Sequence, residues 1–279
     1  MAPILRPLTL GELLDRAFQL YRSRFALFVA IAAIAYLPLF VAQTITLWLP
    51  NILSVPALMA TGIGLLITVI MQMIAVAAAN SATIIVVSTA YLERPMTLGE
   101  AYGRVSGVLL RVIGIMLVAG IVSALALFLF IVPGVIVFLM WSLAVPAAVL
   151  ENADLGESLS RSRHLTEGHR LRVLAIYVLY FILVFALQMG LLVPLGALIA
   201  VLVKAHPGPE AGATAAISAV NIGSIVLGYI VNCLVTPILT ISLSLMYYDE
   251  RVRKEAFDIQ LMISAMDGSA APTAAAGAS

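Results

Sequence analysis

Long charge-free stretches alternate with short polar ones along the chain. Residues 25–92, 112–150, 173–203 and 211–248 contain no Asp, Glu, Lys, Arg or His, and a bilayer-crossing helix needs only about 20 predominantly apolar residues. The first stretch is interrupted between Pro50 and Pro56 and the second at Pro133-Gly134. These are turn formers, so each of the two predicts a helix pair while the other two predict one helix apiece. The six expected spans are 26–49, 64–91, 112–131, 134–150, 173–202 and 216–246, with residues 57–63 as a short interfacial turn. Pro38, Pro146, Pro194 and Pro237 lie within or near these spans and predict kinks, because each removes a backbone hydrogen bond.

The polar stretches carry a recurring pattern: Thr9-Leu10-Gly11-Glu12 with Arg16, Thr97-Leu98-Gly99-Glu100 with Arg104, and Asp154-Leu155-Gly156-Glu157 with Arg161. Each reads as a helix start in which Thr or Asp caps backbone N–H groups and the Glu three residues on reaches back. A Glu-to-Arg pair at i,i+4 adds a little more. In the first, Leu10, Leu13, Leu14, Ala17, Phe18, Tyr21 and Phe25 share one face, the signature of an interfacial helix. Each of the three precedes two spans. The predicted fold class is therefore an all-α polytopic membrane protein, with six transmembrane helices as three units of cytoplasmic amphipathic helix plus transmembrane hairpin. Residues 1–266 form a single integral membrane domain. Residues 267–279 are small and aperiodic and read as a disordered cytoplasmic tail.

Composition agrees. The chain is 63% apolar and 10% charged, against roughly 45–50% and about 25% for soluble domains, and a soluble globular protein is excluded. Its 15 basic residues nearly balance 14 acidic ones, so no basic field attracts nucleic acid. Neither a phosphate-binding loop nor zinc-ligand spacing is present, so no cofactor or metal site is expected. The lone Cys233 lies in an apolar run and provides no disulfide framework.

The basic residues give an orientation, because loops on the cytoplasmic side of a membrane are enriched in Lys and Arg. All except Lys204 fall before span one, between two and three, between four and five, or after six. Both termini are thus expected in the cytoplasm. Glu12, Asp15 and Arg16 precede any long apolar stretch, so no removable signal peptide is expected. Arg16, Arg104, Arg161, Arg163, Arg170 and Arg172 are candidate contacts for anionic lipid or a protein partner.

Chemistry within the spans is limited to uncharged groups. Intramembrane ionisable residues usually mark proton relays, ion paths or catalysis, and the spans contain none. His164, His169 and His206 are expected in loops, away from any nucleophile, so an enzyme is the least supported class. The spans do hold Gln43, Thr44, Gln72, Asn80, Ser81, Thr83, Gln188, Asn221, Asn232 and Thr236. Such groups need partners in hydrocarbon and usually join helices. The alternative is a polar cavity for a neutral or zwitterionic ligand, with Asn80, Asn221 and Asn232 as its candidates. Gly120 with Ala124, Ala186 with Gly190, and Ser224 with Gly228 are small pairs that permit close helix approach. Tyr247-Tyr248 followed by Asp249 to Glu255 predicts an aromatic anchor and a solvated charged helix end, with the i,i+4 pairs Asp249–Arg253, Glu250–Lys254 and Arg251–Glu255.

Several of these segments together resemble a known family: Leu10-Gly11-Glu12-Leu13-Leu14-Asp15-Arg16-Ala17-Phe18 with Tyr21-Arg22, Val132-Pro133-Gly134-Val135-Ile136, Ser158 through Gly168, and Tyr247-Tyr248-Asp249 through Arg253-Lys254-Glu255 with Phe257-Asp258. From about Leu8 to Met262 the chain is similar to the six-helix membrane domain that precedes the catalytic domain in some bacterial glycerophosphodiester phosphodiesterases, and to free-standing inner-membrane relatives of that domain. His169-Arg170 is followed by Leu171 rather than the glycine that opens the family's catalytic domain, and no matching acidic metal cluster follows. The resemblance implies a membrane domain without the enzyme, and it carries over no catalytic residue.

Two functional readings follow. The first is a non-enzymatic scaffold or accessory component of the bacterial inner membrane that meets lipid headgroups, a protein partner or a second copy of itself through its cytoplasmic face. The second is a transporter or lipid-handling protein for a neutral or zwitterionic substrate. An enzyme acting on phospholipid-derived diesters is suggested only by analogy with the fused relatives.

Overall fold

The computed structural model describes residues 8–53, 57–91, 96–205 and 211–269. Among these residues there are ten helices and no strand: α1 (Leu10–Ser23), α2 (Phe25–Leu53), α3 (Ala57–Tyr91), α4 (Leu98–Val105), α5 (Leu109–Leu129), α6 (Ile131–Met140), α7 (Ala144–Glu151), α8 (Leu155–Thr166), α9 (Arg170–Ala205) and α10 (Ala211–Ser269). Six stretches are long and apolar enough to cross a membrane, Phe25–Trp48, Thr61–Ala90, Leu109–Leu129, Ile131–Glu151, Arg170–Val201 and Ser218–Glu255. The number is the one expected from the charge-free blocks.

The short polar helices differ in how they begin. Thr9 and Thr97 form complete capping boxes: each hydroxyl accepts from the N–H of Glu12 or Glu100, whose carboxylate accepts the Thr N–H at 2.9 and 3.0 Å. Such a cap contributes about 1 kcal/mol. Asp154 was expected to act likewise but makes no side-chain cap. Its carboxylate is largely exposed and lies 3.9 Å from Arg111. On α1, Leu13, Ala17 and Tyr21 are buried at successive i,i+4 positions, and the Tyr21 hydroxyl donates to the Leu234 carbonyl of α10 at 2.8 Å. On α4, Tyr102 donates to the Ile31 carbonyl of α2 at 2.6 Å. Both helices are thereby fixed against the spans.

The fourth span is broken. Trp141 to Leu143 form a turn between α6 and α7, so Pro146 sits in the first turn of α7, where its missing N–H costs little, and does not kink a continuous helix. The backbone at this break is satisfied by α8. Ser162 accepts the Leu143 N–H at 3.1 Å and donates to the Met140 carbonyl at 2.8 Å, which Thr166 also reaches at 3.2 Å. That explains why α8 buries Ser162 and Thr166 beside Leu165: its inner face supplies hydrogen bonds to an opened helix, while the buried Ser158 donates to the Ala153 carbonyl just ahead of α8 at 3.2 Å. Pro194 and Pro237 lie inside α9 and α10, and the helix is continuous through both.

The turn between α5 and α6 falls at Phe130, three residues before the expected Pro133-Gly134 break. Phe130 alone is extended (φ −152°, ψ 127°), and Pro133 occupies the first turn of α6. Gly134 is placed where the two helices touch, since a Cβ there would lie 2.3 Å from the Leu127 Cα. Residues 57–63, expected as an interfacial turn, belong to α3. Residues 267–269 of the expected tail are helical as the end of α10; the remainder of that tail, 270–279, lies outside the described residues.

The largest buried cluster gathers Leu13, Phe28, Ile31, Val86, Leu143, Leu165, Ile176, Ile241 and Met246. These positions lie near one end of the bundle, where α1, α4 and α8 join the spans. Toward the other end large apolar side chains are exposed, among them Leu65, Phe128, Phe185 and Val193, as expected where hydrocarbon replaces water.

Candidate functional site

Two features stand out, a charged layer at the tightly packed end and a cavity beneath it.

The charged layer is built on the end of α10, and the expectation of a solvated helix end is overturned there. Asp249 and Glu250 are 5% and 0% exposed. Arg172 at the start of α9 bridges them, with Nη1 2.8 Å from Asp249 Oδ2 and 3.0 Å from Glu250 Oε1, while Nη2 donates to the Leu8 carbonyl at 2.8 Å. Asp249 Oδ1 accepts the Leu8 N–H at 2.7 Å, and Arg253 binds Asp249 at 2.9 Å and also donates to the Leu8 carbonyl. The segment before α1 is thus held at both backbone groups of one residue. His169 Nδ1 sits 2.8 Å from Glu250 Oε2, an ion-pair distance without hydrogen-bond alignment.

A second set surrounds Glu151 at the end of α7. Arg161 approaches it through Nε at 3.1 and 3.2 Å and Nη2 at 3.0 Å, and also pairs with Glu255. Tyr247 donates its hydroxyl hydrogen to Glu151, and Arg251 binds Glu255 at 2.7 Å. Burial alone would lower the Arg161 pKa, but its hydrogen bonds to Glu151 and the nearby Glu255 charge hold it above the ordinary arginine value. Of the expected i,i+4 pairs, Asp249–Arg253 and Arg251–Glu255 form. Glu250–Lys254 does not: Glu250 turns inward to Arg172, and Lys254 donates to the His164 and Glu167 carbonyls. Those carbonyls close α8, a favourable place for a cation.

The candidate arginines are therefore divided. Arg161 and Arg172 are committed inside the protein. Arg170 is half-buried, and its Nε has no partner. Arg16, Arg104 and Arg163 make no ion pair among the described residues, and the last two are exposed. His164 lies on α8, not in a loop; His206 is outside the described residues. No three His, Cys, Asp or Glu side chains among the described residues are placed to share a metal ion.

The candidate asparagines are also separated. Asn80 on α3 accepts from the Thr240 hydroxyl of α10 at 2.7 Å and lines an open-sided cavity of about 230 Å³ between α3, α5, α6, α7, α9 and α10. Asn232 donates to Gly228 within its own helix at 2.8 Å, and Asn221 is exposed. Neither lines that cavity. Its other polar groups, Ser123, Ser142, Tyr177 and Thr240, were not singled out by the sequence, because Ser, Thr and Tyr are common in packed membrane helices and only the fold brings these together.

A family model for the membrane domain of glycerophosphoryl diester phosphodiesterase matches residues 112–267. The chain belongs to this family. The match contains α8, the start of α9 and the end of α10, so most of the charged layer of this membrane domain lies within the matched region. No curated protein and no solved structure matches the chain.

Proposed function

We propose that this membrane domain is a non-enzymatic, multi-pass scaffold or accessory protein of the bacterial inner membrane, with both termini in the cytoplasm, whose basic end engages anionic headgroups or a protein partner. In this reading α1, α4 and α8 are the lead helices of three units, each followed by two spans. The observation that carries it is the division of the arginines. Those that hold the bundle together are paired internally, while Arg16, Arg104 and Arg163, one on each short helix, keep their charge for something outside. A juxtamembrane cation near an anionic surface contributes about 1 kcal/mol, so three acting together give useful but reversible attraction.

Gentle extraction in native membrane patches, followed by mass spectrometry of what stays bound, tests this reading. The joint Arg16→Gln, Arg104→Gln, Arg163→Gln variant is expected to lose the retained anionic lipid or co-purifying protein while remaining folded. Unchanged retention in a folded variant would refute it.

A second reading, handling of a lipid or other neutral or zwitterionic substrate, is favoured by one specific observation: the cavity at Asn80, which has polar groups and lies within the spans.

A further inference from the structure

The cavity has three properties that narrow what it can hold. First, none of its lining residues is charged, so a phosphate or ammonium within it would be uncompensated at membrane depth. Second, three polar groups on its wall are uncommitted. Thr240 occupies one end of the Asn80 carboxamide. Among the described residues the other end makes no hydrogen bond, nor do the Ser123 hydroxyl and the Tyr177 phenol. In hydrocarbon such groups are costly until something meets them. Third, Gly120 of α5 and Phe138 of α6 line the cavity and are also exposed, which gives it a lateral mouth facing the bilayer.

Depth and size add to this. At about 1.5 Å per residue, Tyr177 lies about 8 Å in from Arg172 along α9, and Thr240 about 14 Å in from Asp249 along α10. With Ser123 about 18 Å in from Arg111 along α5, the cavity therefore runs from below the charged layer to about the bilayer midplane, about 15 Å into the hydrocarbon. Its 230 Å³ is smaller than the roughly 300–1,000 Å³ of sites that enclose a whole drug-sized ligand. A charged lipid keeps its head at the surface and offers only a tail at this depth, which leaves Asn80, Ser123 and Tyr177 unmatched. A molecule with a hydroxyl or ester and no charge can sink to them.

We propose that this cavity binds one uncharged amphiphile, an acyl chain bearing a hydroxyl or ester group, which enters between α5 and α6 and hydrogen-bonds Asn80, Ser123 and Tyr177. The inference rests on the lipid-handling reading and names its ligand class.

The probe is a monoacylglycerol carrying a photoreactive diazirine near its glycerol end, applied to the full chain in nanodiscs, with the matching lysophosphatidate as a charged control. Saturable labelling on α3, α5 or α9 is expected from the monoacylglycerol. It should fall about tenfold in Asn80→Leu, the usual worth of one neutral hydrogen bond. Gly120→Phe should lower it: a Cβ at Gly120 meets nothing within 4 Å, so a ring can be added at the cavity's exposed edge without displacing backbone. Asn221→Leu, at an exposed position, should label as the parent does, and thermal melts establish that each variant is folded. Equal labelling by lysophosphatidate at the same residues overturns the uncharged ligand while leaving lipid handling standing. Labelling by neither probe overturns both. Undiminished labelling in folded Gly120→Phe overturns entry between α5 and α6, and undiminished labelling in folded Asn80→Leu overturns the site.

Discussion

Arg172 Nη1 lies 2.8 Å from Asp249 Oδ2, joining the first turn of α9 to the end of α10 across a layer where the carboxylate is almost wholly buried. Removing one partner of a buried pair leaves the other charge uncompensated, at a cost of about 3–5 kcal/mol. Arg172→Met and Asp249→Asn should each lower the thermal midpoint substantially in detergent. The double variant should lose less than the sum, by about 0.5–3 kcal/mol. Strict additivity would show that the two residues act independently.

Ser162 is the second point at which stability is concentrated. Its hydroxyl satisfies both sides of the α6–α7 break, so Ser162→Ala strands the Leu143 N–H and should cost about 1–3 kcal/mol. Ser160 on the same helix is exposed, and Ser160→Ala should stay within about 0.5 kcal/mol of the parent. Thermal unfolding of the two variants side by side separates a hydrogen-bonding role from a general intolerance of α8 to substitution.

Gly134 and Gly120 lie on the two helices of one hairpin, the first buried and the second exposed, and should respond oppositely to Ala. At Gly134 the added carbon would meet the Leu127 backbone at 2.3 to 2.5 Å. The helices would have to separate, at a cost of about 1–3 kcal/mol. At Gly120 nothing lies within 4 Å, and replacing a helical glycine there should gain about 0.5–1 kcal/mol. Similar melting shifts for both would contradict the close α5–α6 approach.

What the sequence revealed and what it concealed divide along physical lines. Six spans were legible because hydrocarbon imposes length and apolarity on each helix separately, and the Thr9 and Thr97 caps because a capping box is local. Arg161 and Arg172 could not be told from Arg104 and Arg163 in the same way. Glu151 stands ten residues from Arg161, outside helical spacing, Asp249 and Glu255 stand far off in the chain, and i,i+4 spacing offered Asp249 and Glu250 nearer partners. The acidic pair directly after Tyr247-Tyr248, with arginines clustered ahead of α9, was the available signal of an inward-facing layer. The α6–α7 break gave a weaker one, since its evidence lies in the hydroxyls of another helix. Asn80 was selected as a polar residue in a span. Its partner Thr240 and the neighbouring Ser123 and Tyr177 are brought to it only by packing.

Orientation rests on charge distribution alone and can be tested directly. Cys233 is buried, so replacing it with Ala provides a background for single cysteines at 163 and 204. Arg163 is exposed on α8, and Lys204 lies near the end of α9, separated from α8 by a candidate span, Arg170–Val201. If α9 crosses the bilayer, a membrane-impermeant maleimide added to sealed right-side-out cells should label Lys204→Cys and spare Arg163→Cys. Inverted vesicles should reverse the result, as the excess of arginine beside α8 requires of a cytoplasmic face. Labelling of both positions from one side would mean that α9 does not span, and the six-span arrangement would fall with it.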